Sequence, residues 1–232
     1  MVFTHPLPPL KRGGYHFKTA FKKKIKHMKK ILFIISLFVS TMLSAQNNIL
    51  TDIEKANAAF KTVEGAFTRT QTNAAKGTSE TDKGTLYLAG DNQMAQHYEA
   101  PSADVLIIHG DDFYMVRGKK TNKFNTAKNK TMRGLRNTLL YCLHGKPGAL
   151  AAENGAEITA QKKAKGYEVV LVSAKKTPRG YAKIVLVYDL KTKLLSSMQM
   201  DEYNGNSTLY QMSGVKTNGN IDAKVFDVPE KK

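Results

Sequence analysis

A mainly β, α+β fold built on one antiparallel sheet is predicted by three features of the chain. Between Gly84 and Val116 the segments TLYLA, QMAQHYEA, DVLIIHG and DDFYMV are broken by Gly-Asp, Ala-Pro and Gly-Asp-Asp, the turn chemistry of a meander. The last third of the chain holds five more such segments. Apolar residues at helical spacing mark two stretches, 51–63 and 132–143. No internal repeat, low-complexity linker or dividing charge block interrupts residues 46–232, so one domain is expected there.

The first 45 residues read differently. Residues 1–27 are basic without an apolar period, the character of an overextended start. From Met28 the pattern is Lys29-Lys30, an apolar run Ile31–Leu43, Ser44-Ala45 and then polar residues, the three-part form of a secretory signal peptide over 28–45. The run is shorter than the ~20 residues a membrane span requires, so cleavage is expected rather than anchoring. No Cys follows it, which argues against a lipid-modified N-terminus and for a soluble, exported product.

Removing the leader changes the charge argument. Residues 1–45 hold nine Lys or Arg and no carboxylate, so the +17 of the whole chain falls to +8 for residues 46–232. The whole-chain value suggests nucleic acid, but more than half of the excess belongs to the leader, and no nucleic-acid partner is expected. The remaining +8 permits weak attraction to an anionic surface such as a membrane leaflet. A single Cys142 excludes an intramolecular disulfide.

In order, 51–63 places Ile53, Ala56, Phe60 and Val63 on one helical face, with Thr51 and Glu54 as a capping box. From Gly65 the period becomes two, and the Thr-rich GAFTRTQT reads as a strand. Residues 73–84 read as a polar turn and 119–131 as a basic polar loop containing Phe124. In the meander Leu86 and Leu88 share a face, while adjacent Ile107 and Ile108 make their strand apolar on both faces. Met132, Leu135, Leu139 and Leu143 form the stripe of a second helix ending at Gly145, with Arg133 and Arg136 on the solvated side; 148–154 adds a helical turn. Met198 pairs with Met200 and Tyr210 with Met212 on single faces of the late strands.

Catalytic patterns are sparse. His97, His109 and His144 lack metal-ligand spacing, Asp111-Asp112 reads as a hairpin turn, and Ser173-x-x-Lys176 has no companion motif of the serine acyl enzymes. No nucleophile elbow or phosphate loop is present. No catalytic residue, metal or cofactor is therefore expected, and the chain reads as a non-enzyme.

Six local patterns recur in order: Phe67-x-x-x-Gln71, Gly84-Thr85-Leu86-Tyr87-Leu88, Tyr98-Glu99-Ala100-Pro101, Val105-Leu106-Ile107-Ile108-x-Gly110, Phe113-Tyr114-Met115-Val116 and Ile221-Asp222-x-x-x-Phe226-x-x-Pro229. Together, over 46–232, they resemble the bacterial outer-membrane lipoprotein carrier (LolA-like) family. The resemblance implies a strongly curved sheet, an incomplete β-barrel covered by helices, whose apolar concave face takes the acyl chains of lipoproteins. It further implies a monomer that receives acylated lipoproteins from an inner-membrane releasing transporter and passes them to an outer-membrane receptor. On this scaffold the cavity candidates are Phe67, Leu86, Leu88, Met94, Leu106, Ile108, Tyr114, Leu135, Leu139, Leu143, Met198 and Met200, each of which could equally be an ordinary core residue. Familiar members keep an Arg after the Gly-x-Leu-aromatic motif that ties the sheet to the lid. Gly90 stands there in this chain, so the latch is absent or supplied from elsewhere, with Arg69 a candidate. An envelope interaction module, such as a stress sensor, is the alternative on the same scaffold.

Overall fold

The computed structural model describes residues 46–176 and 180–229. The leader and its cleavage site lie outside them. The helix α1 covers 46–58. It is followed by β1 (Thr62–Asn73), β2 (Thr78–Ala89), β3 (Gln93–Tyr98), β4 (Val105–His109), β5 (Asp112–Arg117) and β6 (Lys120–Asn125). Helices α2 (Lys130–Leu143) and α3 (Pro147–Asn154) come next, then β7 (Ala156–Lys163), β8 (Gly166–Ser173), β9 (Tyr181–Tyr188), β10 (Leu195–Glu202) and β11 (Ser207–Thr217). A 3-10 turn at Ala223–Phe226 follows the last strand.

All eleven strands form one antiparallel sheet in the order β6-β5-β4-β3-β2-β1-β11-β10-β9-β8-β7. It is an open sheet whose edges are β6 and β7, and the chain passes between those edges through α2 and α3. A single apolar cluster joins Phe113 of β5 to Val169 of β8. Laid flat, those strands would stand about 38 Å apart at the usual inter-strand spacing, so a shared core requires the sheet to curl around the helices. Register shifts in β1/β11 and β9/β10 supply bends of the kind that bulges produce.

Alternation sorts the side chains onto two faces. Phe67, Leu86, Met94, Ile108, Leu186 and Met198 are fully buried on the concave side against Leu139 and Leu150 of the helices. On the convex side a smaller cluster of Ala95, Ile107 and Phe226 is flanked by Tyr87, Val105 and Tyr114. The C-terminal segment covers it, and His97 Nε2 meets the Val225 carbonyl oxygen at 2.7 Å. The doubly apolar strand read from Ile107-Ile108 is thus buried on both faces, each residue in a different cluster.

Several expected boundaries moved. The first helix extends back to residue 46, so Thr51 and Glu54 lie within it and form no cap. It also ends before Phe60, and Val63 belongs to β1, where it pairs with Leu88 and Thr217. The buried partner of Ile53 one turn on is Asn57, whose amide bonds to the carbonyls of Ile53 and Lys193; the polar atom is satisfied by a distant loop, invisible to periodicity. Residues 78–83, read as turn, extend β2 as an exposed strand, held by pairs such as Thr70–Thr81. The basic loop contains the edge strand β6, with Phe124 opposite Phe113. With both faces or one edge in water, neither segment shows an apolar period.

Gly84 explains one motif. Its backbone passes so close beneath the Phe67 ring that a Cβ would lie 2.3 Å from the His97 carbonyl oxygen and 2.7 Å from Phe67 Cζ. Gly84→Ala is expected to destabilise the protein by about 1–3 kcal/mol through overpacking. A lowered urea midpoint at constant slope is the readout; an unchanged midpoint would mean that the ring retreats without cost.

Candidate functional site

The concave face is floored by the sheet and filled by α2 and α3. Asn129 begins α2 by accepting a hydrogen bond from the Met132 N–H, and the helix then lowers its apolar stripe onto the sheet. Its C-terminal half, Thr138 to Leu143, is almost entirely buried, whereas Met132 and Leu135 remain partly exposed. Tyr188, buried in the floor, donates its hydroxyl to the Cys142 carbonyl at 2.9 Å. Burial pushes this hydroxyl far above the ordinary tyrosine value, so it stays a donor through alkaline pH. Gly145 ends the helix at φ 64°, with the Asn57 side chain packed where a Cβ would be. The helix is therefore pinned hardest at its C-terminal end.

At the rim of the lid, contacts become polar. Arg136 Nε donates to the Gly110 carbonyl at 2.7 Å and its Nη2 to Asn92 Oδ1 at 3.0 Å. His144 Nε2 meets the Gly90 carbonyl oxygen at 2.9 Å, and its Nδ1 meets the Leu140 carbonyl oxygen at 2.7 Å. Both ring nitrogens face carbonyl oxygens, one on its own helix and one on the β2–β3 turn. The helix thus carries Arg136 and His144, and the turns at Gly90–Asn92 and Gly110 carry the acceptors. A latch made this way needs only a backbone carbonyl at Gly90. Arg136, expected on a solvated face, is half-buried in it.

Arg69 does something else. It pairs with Asp82 on the neighbouring strand, its guanidinium lies 4.4 Å from the Tyr98 ring centroid, and Phe67 meets Tyr98 edge-on at 5.1 Å. Its Nε is buried without a partner. Burial, reinforced by Tyr210, holds the Tyr98 hydroxyl well above its ordinary value despite the pull of Arg69. The ion pair and ring contact of Arg69 both stay within the sheet, whereas the bonds to the Gly90 and Gly110 turns come from His144 and Arg136.

Eleven of the twelve cavity candidates fall in the concave cluster: Phe67, Leu86, Leu88, Met94, Ile108, Leu139, Leu143, Met198 and Met200 buried, with Leu106 and Leu135 partly buried against it. Tyr114 is the correction. It sits on the convex face with Ile107, because β5 turns Phe113 and Met115 inward and the intervening residue outward. Alternation along β5 places Phe113, rather than Tyr114, on the concave side. The concave face also contains Val169, Leu171, Ile184, Leu186 and Tyr188 from β8 and β9. Those strands are apolar at nearly every position, so alternation cannot assign their faces. The side chains of α2 and α3 occupy the concave face. Two cavities on the described surface, of about 360 and 420 Å³, lie elsewhere, one among polar residues including Gln71, Glu80 and Glu202 and the other beside Lys61 and Asn218.

A family model described as outer membrane lipoprotein carrier protein LolA matches residues 58–229. The chain belongs to the LolA family. Among proteins with curated descriptions none matches. Similar solved structures include a conserved protein from Thermus thermophilus (10% identical, covering 79% of this chain and 94% of that one, TM-score 0.49). A LolA superfamily protein from Nitrosomonas europaea is 8% identical over 79% of this chain and 97% of that one, with TM-score 0.40. A MucA/MucB complex from Pseudomonas aeruginosa is 9% identical over 78% and 60%, with TM-score 0.44. Membership rests on the family model. A LolA-like scaffold is a lipid- or lipoprotein-binding carrier scaffold, and among the described residues of this chain no helix is long and apolar enough to cross a membrane.

The unequal anchoring of α2 has a measurable consequence. Arg136→Gln is expected to speed amide exchange in residues 132–137 by about tenfold or more, through the loss of two charge-assisted hydrogen bonds to the turns, while 139–143 change little. Uniform acceleration along the helix would show that the lid opens as one piece.

Proposed function

We propose that the protein is a non-enzymatic periplasmic carrier, exported by a cleaved signal peptide, that takes acyl chains of lipoproteins onto its concave face and shuttles them from the inner to the outer membrane. The observation that carries this reading is the construction of the lid. Its contact with the sheet is apolar over the buried half of α2 save for the single Tyr188–Cys142 hydrogen bond, and otherwise polar only at the rim, so acyl chains that replace Leu139, Leu140 and Leu143 leave one buried hydroxyl, that of Tyr188, to be re-paired. Each methylene removed from water contributes about 0.8 kcal/mol, which suits an apolar cargo and makes moderate burial preferable to very tight binding in a shuttle. Met94, Met198 and Met200 give the floor flexible side chains able to fit chains of different length. An inner-membrane lipoprotein-releasing transporter is the expected donor and an outer-membrane receptor the expected acceptor, with the carrier a monomer.

The test is uptake of a fluorescent acyl probe and its displacement by a triacylated lipopeptide. Displacement is expected, and the double variant Arg136→Gln/His144→Gln should raise the uptake rate about tenfold or more by removing rim hydrogen bonds worth ~1 kcal/mol or more each. Probe binding that lipopeptide never displaces, with the protein folded, would favour the alternative of a lipid-independent interaction module.

A further inference from the structure

We propose that the segment Arg117–Arg136 is a docking surface for an anionic lipid bilayer. Residues 117–136 contain Arg117, Lys119, Lys120, Lys123, Lys128, Lys130, Arg133 and Arg136 and no carboxylate. They account for the whole +8 of residues 46–232, so the remainder of that unit is neutral. The first seven of these side chains are exposed. Arg117 pairs with Asp104 and Lys123 with Asp112, and Arg136 is held in the rim. Among the described residues Lys119, Lys120, Lys128, Lys130 and Arg133 form no ion pair.

The fold arranges these charges as a stripe. They run from the β5–β6 turn along the edge strand β6, roughly 17–20 Å for six residues, and on into the first turns of α2. Keeping an edge strand from pairing with another sheet is the ordinary use of Lys at such a position, and it covers Lys120 and Lys123. It leaves Lys119, Lys128, Lys130 and Arg133 unexplained, since they lie off the strand. The other edge provides a comparison: on β7, Lys162 and Lys163 are balanced by Glu157 and by Glu168 of β8, and Lys163 Nζ sits 2.7 Å from Glu168 Oε1.

A bilayer fits this stripe better than a protein or a nucleic acid. Five of the seven exposed cations are Lys, hydrated point charges on flexible stems that need no fixed partner geometry. An acidic protein with carboxylates in fixed positions would be met by bidentate Arg rather than Lys, and single-stranded nucleic acid by exposed stacking rings. Half-buried Phe124 and Met132 instead interrupt the stripe at the edge of the core, the mixture of cation and apolar side chain that suits a headgroup boundary. The charge lies beside the less firmly held end of the lid. Docking through the seven exposed cations is independent of acyl binding, because none of them lines the concave cluster or holds the rim.

The experiment is vesicle co-sedimentation of residues 46–232, a unit that contains the whole sheet and both apolar clusters. Vesicles of phosphatidylcholine with about 30% phosphatidylglycerol at low salt should bind it, and binding should fall as salt shortens the Debye length. Removing three cations, at about fivefold each, predicts that K119Q/K120Q/K128Q binds roughly a hundredfold more weakly. K55Q/K76Q/K191Q, with the same net charge, should bind within about threefold of the parent. Equal loss in both variants, undiminished binding of the first, equal binding to pure phosphatidylcholine, or retention of an RNA oligomer or acidic protein in place of vesicles would each overturn the proposal. Acyl-probe uptake by K119Q/K120Q/K128Q should be unchanged; loss of uptake in the parent with vesicle binding intact would refute the carrier reading alone.

Discussion

Strand β1 bonds along both sides, to β2 just after it and to β11 near the far end of the chain, in continuous register from Val63 to Thr72 apart from one bulge. Every other strand is reached from this pair by hairpins or by the helical crossing. Two meanders, β2 to β6 and β11 back to β7, hang from it like wings. Closing so long a loop is entropically costly and rewarded only when both wings share a core. Phe67 sits at that junction. Its ring reaches Tyr98 on one wing and Tyr210 on the other, and Gly84 leaves the space it requires.

The same curvature creates the tension in the site. A sheet curled this far presents more apolar concave surface than its own strands can cover, and the chain resolves this by inserting α2 and α3 between the sheet edges. The helices satisfy the hydrophobic demand without closing a ladder of hydrogen bonds. What holds them is therefore divisible: dispersion and burial over the floor, a Tyr188 bond at one end, Arg136 and His144 at the rim. A lid built on β-ladder bonds would be committed; one built on apolar contact and a few rim bonds can exchange its contacts for those of another apolar group.

Charge is distributed on a different principle. Over the rest of residues 46–232 cations and carboxylates balance in number. At the β6 edge they do not. A single-sign surface costs self-repulsion, and local structure alone does not require it beyond the strand itself.

Much of the fold was legible in the residues. Turn chemistry and alternation located β3, β4 and β5 closely, and the Leu stripe located α2, because each has one apolar side and clear punctuation. The apolar period of Ile107-Ile108 even announced a strand with two covered faces. Legibility failed where both faces are wet, as in the outer half of β2 and in β6, or where nearly every residue is apolar, as in β8 and β9. It failed also at Tyr114, where a run of large residues hid the alternation. Sequence by itself determined which segments are strands and which residues are apolar, since these follow from local backbone preference and transfer from water. Only the tertiary structure decided which face each strand turns inward and that Arg136 and His144, rather than Arg69, meet the turns at Gly90 and Gly110. Those depend on how distant strands register and curl, and no local period encodes that.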